Sequence, residues 1–195
     1  EQQKEALAQK QHEFYDRVNN VIDYANENRE LLVIRGDQGK LDNLIAQLFD
    51  RTVNSIKKIK AIDSEEWGVI SNFILRVEED IKKIVNGNQI ILDYYDSSEF
   101  QKIKDTQGLT YAEKYLALSL EKERKYADAL LVNESYDKNS AKSKKKDYVK
   151  SKYENAKLKS KAGKKEEAIS DLKTLAKDSN LSAENKIDIY KELGD

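Results

Sequence analysis

Apolar residues recur at alternating three- and four-residue steps through the first half of the chain, the spacing of one face of an α-helix. The pattern predicts three long helices, over residues 3–35, 40–61 and 67–95. The third segment has the most regular stripe, formed by Trp67, Ile70, Ile74, Val77, Ile81, Ile84, Asn88, Ile91 and Tyr95. Three such helices joined by short polar links predict an up-down-up three-helix bundle over residues 1–98.

The pattern changes after residue 98, where shorter helices separated by small or polar turns are predicted. These helices cover residues 111–120, 126–136, 148–161, 165–177 and 182–193. The first four form two pairs, and residues 125–130 of the first pair parallel residues 164–169 of the second. A repeated helix pair is typical of proteins that stack such units into an array.

Small residues support this repeat. Ala117 and Ala156 lie twelve positions before Ala129 and Ala168, and Gly163 stands at the turn of the second pair. This arrangement resembles the tetratricopeptide-repeat (TPR) family, whose helix pairs carry small residues at close helix contacts and a Gly-x-x-x-x-Ala turn. Leu172 falls where that family has a large apolar residue.

The resemblance implies TPR-like antiparallel helical hairpins over residues 99–195. The sequence departs from the family pattern at Arg124, which replaces the turn glycine of the first pair, and it lacks the proline that closes the family's repeats. The segment 1–98 resembles a spectrin-like three-helix unit. The predicted fold class is therefore all-α, with a long bundle followed by helical hairpins.

Composition restricts the chemistry. The 195 residues include no proline, cysteine or methionine and one histidine, so disulfides, thiolate metal sites and a cysteine nucleophile are excluded. His12 has Gln11 and Glu13 as neighbours and is interpreted as a surface residue. We find no phosphate-binding or nucleophile motif in the sequence. We therefore expect a protein that is not an enzyme, with no catalytic residue, cofactor or metal site.

Charge is concentrated in residues 138–165, where 12 lysines face two acidic residues. The densest run comprises Lys142, Lys144, Lys145 and Lys146, and Tyr148 and Tyr153 lie close to it. A solvated loop between repeats is the favoured interpretation. The alternatives are a patch for an acidic protein or for lipid headgroups, and nucleic acid is the least favoured partner.

Tyrosines are the second unusual feature, because the chain has eleven of them and four phenylalanines. They are interpreted first as core residues of the helix pairs and second as contacts for a partner segment. The TPR resemblance implies a peptide-binding groove. The predicted partner-binding residues are Tyr111, Tyr115, Tyr126, Lys142, Lys144, Lys145, Lys146, Tyr148, Tyr153, Ile187 and Tyr190.

The leading functional hypothesis is a non-catalytic helical scaffold or adaptor that binds another protein. The alternatives are a binder of anionic lipid or nucleic acid through residues 138–165, and a structural spacer. Because the chain starts at Glu1 and has no methionine, we expect a processed or excised fragment. The 29 lysines and six arginines suggest an AT-rich bacterial genome. Together with the polar N-terminus, this composition resembles the mature part of a bacterial, spirochaete-type envelope lipoprotein whose lipid anchor lies outside these residues. A cytoplasmic adaptor is the alternative location.

Overall fold

The computed structural model describes residues 1–140, 145–177 and 183–194, and for residues 145–148 it describes the backbone alone. Within those residues the chain forms α-helices and one 3₁₀-helix and no strand, which confirms the predicted all-α class. The helices are α1 (Gln2–Glu27), a 3₁₀-helix (Arg29–Val33), α2 (Gln38–Lys58), α3 (Glu66–Tyr95), α4 (Ser98–Gln107), α5 (Leu109–Lys122), α6 (Tyr126–Ser140), α7 (Lys145–Lys161), α8 (Lys165–Ala176) and α9 (Ala183–Gly194).

The chain divides into two compact units, Glu1–Ile90 and Ile91–Asp195. In the first unit, α1, α2 and most of α3 surround one apolar core. Phe14 of α1 lies 4.8 Å from the ring of Trp67, measured between ring centroids. The Trp67 indole N–H also donates to the carbonyl of Ala61 at 3.0 Å. An aromatic ring that is both packed and hydrogen-bonded fixes the start of α3 against α1.

The first unit differs from the sequence pattern in two places. The helix predicted over residues 3–35 ends at Glu27, and the 3₁₀-helix that follows still buries Leu32 completely. The side-chain amide of Asn28 donates to the carbonyl of Tyr24 at 2.8 Å, which satisfies a carbonyl group at the helix end. In α3, Val85 is buried whereas the predicted Ile84 is half-buried.

A buried polar cluster explains why Asn88 fits the apolar stripe of α3. Its side-chain amide donates to Asp37 Oδ2 at 2.9 Å and to the carbonyl of Ile84 at 2.8 Å. The guanidinium of Arg35 lies 3.9 Å from the same carboxylate. Burial of Asn88 is tolerated because its amide has these acceptors.

After the last residues of α3, the second unit continues with α4, which the sequence analysis missed. The Ser97 hydroxyl accepts from the backbone N–H of Phe100 at 3.2 Å, a side-chain cap at the helix start. Phe100 is buried and stacks on Tyr95 at 4.3 Å between ring centroids. Ser97 at the cap with Glu99 in the first turn is a helix-start pattern, so the sequence did contain this information.

The two helical hairpins, α5–α6 and α7–α8, have matching turns. Arg124 and Gly163, 39 residues apart, both adopt positive φ, of 62° and 89° respectively. In each turn the next backbone N–H reaches back to the end of the preceding helix, from Lys125 to Leu120 at 2.9 Å and from Lys164 to Lys159 at 2.8 Å. This is the hydrogen bond of a helix that ends in a left-handed residue.

Small residues let the helices of these hairpins approach closely. Ala117, Ala129, Ala156 and Ala168 are all buried, as the repeated spacing predicts. Helix α6 also packs against α7, and α9 packs against both α7 and α8. The second unit is therefore a continuous series of neighbouring helices, with each packed against the next in the chain from α4 to α9.

Candidate protein-binding surface

Helix α5 exposes a stripe of large apolar side chains. Tyr111, Tyr115 and Leu118 are 54%, 45% and 47% exposed. Their spacing of four and three residues places them on one face of the helix. The opposite face buries Ala112 and Leu120 in the helix packing. The stripe is therefore a continuous apolar strip on a helix whose other face already supplies the core.

Two ion pairs connect α5 to α7 on one flank of this stripe. Lys114 Nζ lies 2.8 Å from Glu154 Oε2, and Lys161 Nζ lies 3.2 Å from Glu121 Oε1. The paired residues advance by seven along both helices in the same direction, so α5 and α7 run parallel here. The space between them is a cavity of about 150 Å³ lined by Ala117, Leu118 and Leu158 and by three of these four charged residues, all but Lys161.

Helix α7 presents a basic, aromatic face beside this groove. Lys157 Nζ lies 5.2 Å above the ring of Tyr153, within the range of a cation–π contact. Lys157 also lines the groove, and Lys150 is exposed two helical turns earlier. Neither lysine has an acidic partner among the described residues. We use the name docking face for Tyr111, Lys114, Tyr115, Leu118 and Lys157.

The docking face contains two of the residues predicted from sequence, Tyr111 and Tyr115. A third, Tyr153, is half-buried and borders it through Lys157. Lys142 and Lys144 lie outside the described residues. Lys145, Lys146 and Tyr148 belong to the first turns of α7, and their side chains are likewise outside the description.

The other three predicted residues lie elsewhere in the second unit. Tyr126 is half-buried at the start of α6, and Lys161 Nζ lies 5.5 Å above its ring. Ile187 and Tyr190 are exposed on α9, where Ile189 supplies the buried contact. The lining of the α5–α7 groove includes neither of the two α9 residues.

A buried carboxyl group positions α5 beneath its exposed stripe. Glu113 is fully buried, and its carboxylate accepts from the Tyr95 hydroxyl and, at 3.0 Å, from the Asn139 amide. Burial raises the pKa of Glu113, and the two hydrogen bonds offset part of that effect. Glu113 therefore ties α5 to the end of α3 and to α6.

A second polar network joins α6 to α7. The carboxylate of Asp137 accepts hydrogen bonds from the side chains of Ser151 and Asn155. Asn155 Oδ1 in turn accepts from Asn133 Nδ2 at 2.5 Å. Burial raises the pKa of Asp137, which the Asn155 hydrogen bond and nearby lysines oppose. These bonds fix α7 in register with α6 and hence position the basic face beside α5.

Sequence reasoning missed three members of the site: Leu118, Lys114 and Lys157. Leu118 could have been found, because it continues the stripe of Tyr111 and Tyr115 on the otherwise polar face of one helix. The contribution of Lys114 depends on its ion pair with Glu154, forty residues away. A pairing over that distance leaves no periodic trace in a single sequence.

Within the described residues, metal binding, the single histidine and membrane-spanning helices were the other candidate features. No group of three or more histidine, aspartate or glutamate side chains is placed to hold a metal ion there. His12 is exposed and pairs with Asp16 at 3.4 Å, one helical turn away. None of the described helices combines the length and the apolar character needed to cross a bilayer.

Comparison of the chain with models of protein families, with curated proteins and with solved structures finds no significant match.

Proposed function

We propose that the protein is a non-catalytic helical adaptor that binds another protein through the docking face. The observation that carries this proposal is the exposed stripe of Tyr111, Tyr115 and Leu118 beside the groove between α5 and α7. Tyrosine gives a large contact area at a small cost in conformational entropy, and it is enriched at protein interfaces. A stripe of this kind suits a partner segment lying along α5.

The proposal includes a relationship of the second unit to TPR-like helical arrays. It is supported by the two matching turns at Arg124 and Gly163 and by the four buried alanines. The parallel course of α5 and α7 supports it as well, because stacked hairpins place the first helix of each pair side by side. We propose for the first unit a spectrin-like bundle that acts as a spacer.

We further propose that the protein works in a bacterial cell envelope, as the helical part of a spirochaete-type lipoprotein. Lysine outnumbers arginine almost fivefold, which suggests an AT-rich bacterial genome, and the absence of cysteine is compatible with an envelope location. Fractionation of the source cells with an antibody against the chain tests it. The protein is expected in the envelope fraction, and recovery in the cytoplasmic fraction would overturn this part of the proposal.

The adaptor function is tested by affinity capture with the intact chain and the variant Tyr111→Ser/Tyr115→Ser/Leu118→Ser. The matched control is Val69→Ser/Leu75→Ser, which changes two exposed apolar residues of α3 in the first unit. We expect the intact chain and the control to retain the same specific protein and the stripe variant to lose it. Since all five side chains are at least 45% exposed, the variants should keep the helical content seen by circular dichroism.

Two outcomes count against the adaptor. One is that the intact, folded chain retains no specific protein. The other is that the stripe variant retains the same protein as strongly as the control, which would place the binding surface elsewhere.

A second candidate function is binding of a polyanion through the lysines of residues 138–165. It is favoured by Lys150 and Lys157, which have no acidic partner among the described residues, and opposed by the engagement of Lys159 with Asp171 at 2.6 Å. Replacement of Lys142, Lys144, Lys145 and Lys146 by glutamine tests it. Salt-sensitive binding to vesicles containing phosphatidylserine, lost in this variant, would support polyanion binding; equal binding by both chains would reject the patch.

A further inference from the structure

A separate cavity lies between α4, α5 and the last turn of α3, within the second unit. Its volume is about 300 Å³, at the lower end of the range for small-ligand sites. Aromatic rings of Tyr94, Phe100 and Tyr115 line it, together with the aliphatic Ile103 and Leu116. Phe100 is held in place by its stacking on Tyr95, so the cavity wall is fixed by packing. Tyr115 is the one residue that it shares with the docking face.

The charges at this cavity are mostly negative. Glu99 and Glu123 belong to the lining, and Tyr94 donates its hydroxyl hydrogen to Asp128 Oδ2 at 2.7 Å. Burial raises the pKa of Tyr94 to about 12, with further contributions from Asp128 and Glu123. The lining also contains Lys125, whose Nζ lies 3.4 Å from Glu123. Two carboxylates thus line the cavity, a third is hydrogen-bonded to the lining residue Tyr94, and one ammonium group partly offsets them.

We propose that this cavity binds an organic cation with a short apolar body, an alkylammonium or alkylguanidinium group. The faces of aromatic rings attract a cation, and the carboxylates add a favourable field. The aliphatic wall of Ile103 and Leu116 suits the alkyl part of such a group. The same chemistry is supplied by a free amine or by a lysine or arginine side chain of a partner. The inference does not depend on the adaptor function.

Binding is tested by titrating the full-length, isotopically labelled chain with butylammonium chloride and following amide shifts by NMR. The neutral analogue 1-butanol is the matched ligand control. We expect saturable shifts in α4 and α5 around the cavity with butylammonium and much weaker ones with 1-butanol. The shifts should diminish as salt is added, because charge carries part of the affinity.

Variants of opposite sign sharpen the test. Glu99→Gln/Glu123→Gln should weaken butylammonium binding about tenfold, and Lys125→Gln should strengthen it about threefold, which corresponds to about 0.7 kcal/mol for each exposed charge. Glu184→Gln, an exposed change on α9, is the matched control and should leave the affinity unchanged. These side chains lie at the surface or at the cavity rim, so the substitutions should preserve the fold.

The two sources of the cation are separated by a short glycine peptide with one central lysine. Tighter binding of the peptide than of butylammonium would support a partner side chain, whereas equal or weaker binding would support a free amine. The inference is overturned if 1-butanol binds as well as butylammonium, if Glu99→Gln/Glu123→Gln has no effect, or if no saturable shift appears around the cavity. None of these outcomes depends on whether a protein is captured by the docking face.

Discussion

The two units of the chain bury different kinds of side chain in their interiors. The first unit buries large aliphatic side chains along three long helices, among them Leu48, Ile74 and Ile81. Where helices of the second unit meet, the buried residues include alanines and polar side chains, such as Ala156, Glu113 and Asn155. The first core therefore depends mainly on apolar area, with one buried polar cluster around Asn88, while the second depends more on the close approach of helices at small residues.

This contrast predicts opposite sensitivities. Shortening a buried side chain should destabilise the first unit most, because the loss of a large aliphatic group there leaves a cavity in the core. Adding volume should damage the second unit most, because its helices meet at small residues. Trp67 allows the two to be followed separately, because it is the single tryptophan of the chain and is buried in the first unit. Its fluorescence reports the bundle, whereas circular dichroism reports the helices of both units.

The largest effect is expected from Ile74→Ala. Ile74 is 1% exposed in the core of the first unit, so its loss should lower the free energy of unfolding by about 3–4 kcal/mol. The measurement is urea unfolding followed by Trp67 fluorescence. Val69→Ala, an exposed change on the same helix, is the control and should change stability by less than about 0.5 kcal/mol. Equal effects of the two substitutions would show that α3 does not pack through this stripe.

The next largest effect is expected in the second unit from Ala156→Leu. Ala156 is 1% exposed on α7, and a larger side chain there should force the helices apart at a cost of about 1–3 kcal/mol. In urea unfolding, the transition seen by circular dichroism should begin at a lower urea concentration, while the transition seen by Trp67 fluorescence should keep its midpoint. Ala127→Leu, at an exposed position of α6, is the control. A leucine accommodated at residue 156 without loss would argue against close helix contact there.

These two positions also show what sequence could and could not predict. The alternating stripe of α3 predicted its buried residues closely, because a long helix in a bundle repeats the same contact at every turn. The structure buries Val85 where the stripe predicted Ile84, a difference of one position that a small rotation of the helix explains. In the second unit, the small residues and the turn at Gly163 predicted the hairpins, since those positions depend on local geometry.

The rest of the second unit depends on pairings that are distant in sequence. Glu113 reads as a surface residue in a charged helix, and its burial is possible because Tyr95 and Asn139 donate to it. The Asn133–Asn155 bond likewise joins two helices across 22 residues. The exposure of the apolar stripe of α5 could not be predicted from composition, because tyrosine is common both in cores and at surfaces. Tyr111 and Tyr115 were nevertheless predicted as partner contacts, a prediction that binding experiments have yet to test.

A smaller effect is expected from the titration of Glu113. Because its pKa is raised in the folded chain, the unfolded chain loses this proton first as pH rises from about 4. The stabilisation present at low pH is therefore lost as pH rises towards the raised pKa, with a slope of at most about 1.4 kcal/mol per pH unit. Glu113→Gln should remove this component and flatten the stability profile.

The profile is measured by urea unfolding with circular dichroism at several pH values. Asp137 also has a raised pKa, so the informative quantity is the difference between the native and Glu113→Gln curves. Glu184→Gln, the same substitution at an exposed position of α9, is the control. Parallel curves for the native chain and Glu113→Gln would mean that this carboxyl does not titrate in a buried site.

The smallest effects are expected at the two matching turns, and they should have opposite signs. Gly163→Ala places a side chain at φ 89°, where no neighbouring atom lies within 4 Å of the new Cβ, so its cost is backbone strain of about 1 kcal/mol. Arg124→Gly relieves the corresponding strain at φ 62°. Because glycine also loses more entropy on folding, the net gain should be about 0.5 kcal/mol. The midpoint temperature of thermal unfolding, followed by circular dichroism, should therefore fall for Gly163→Ala and rise for Arg124→Gly. A loss of stability in both would mean that the arginine side chain contributes more than its backbone costs, and that the two turns are alike in geometry but not in energy.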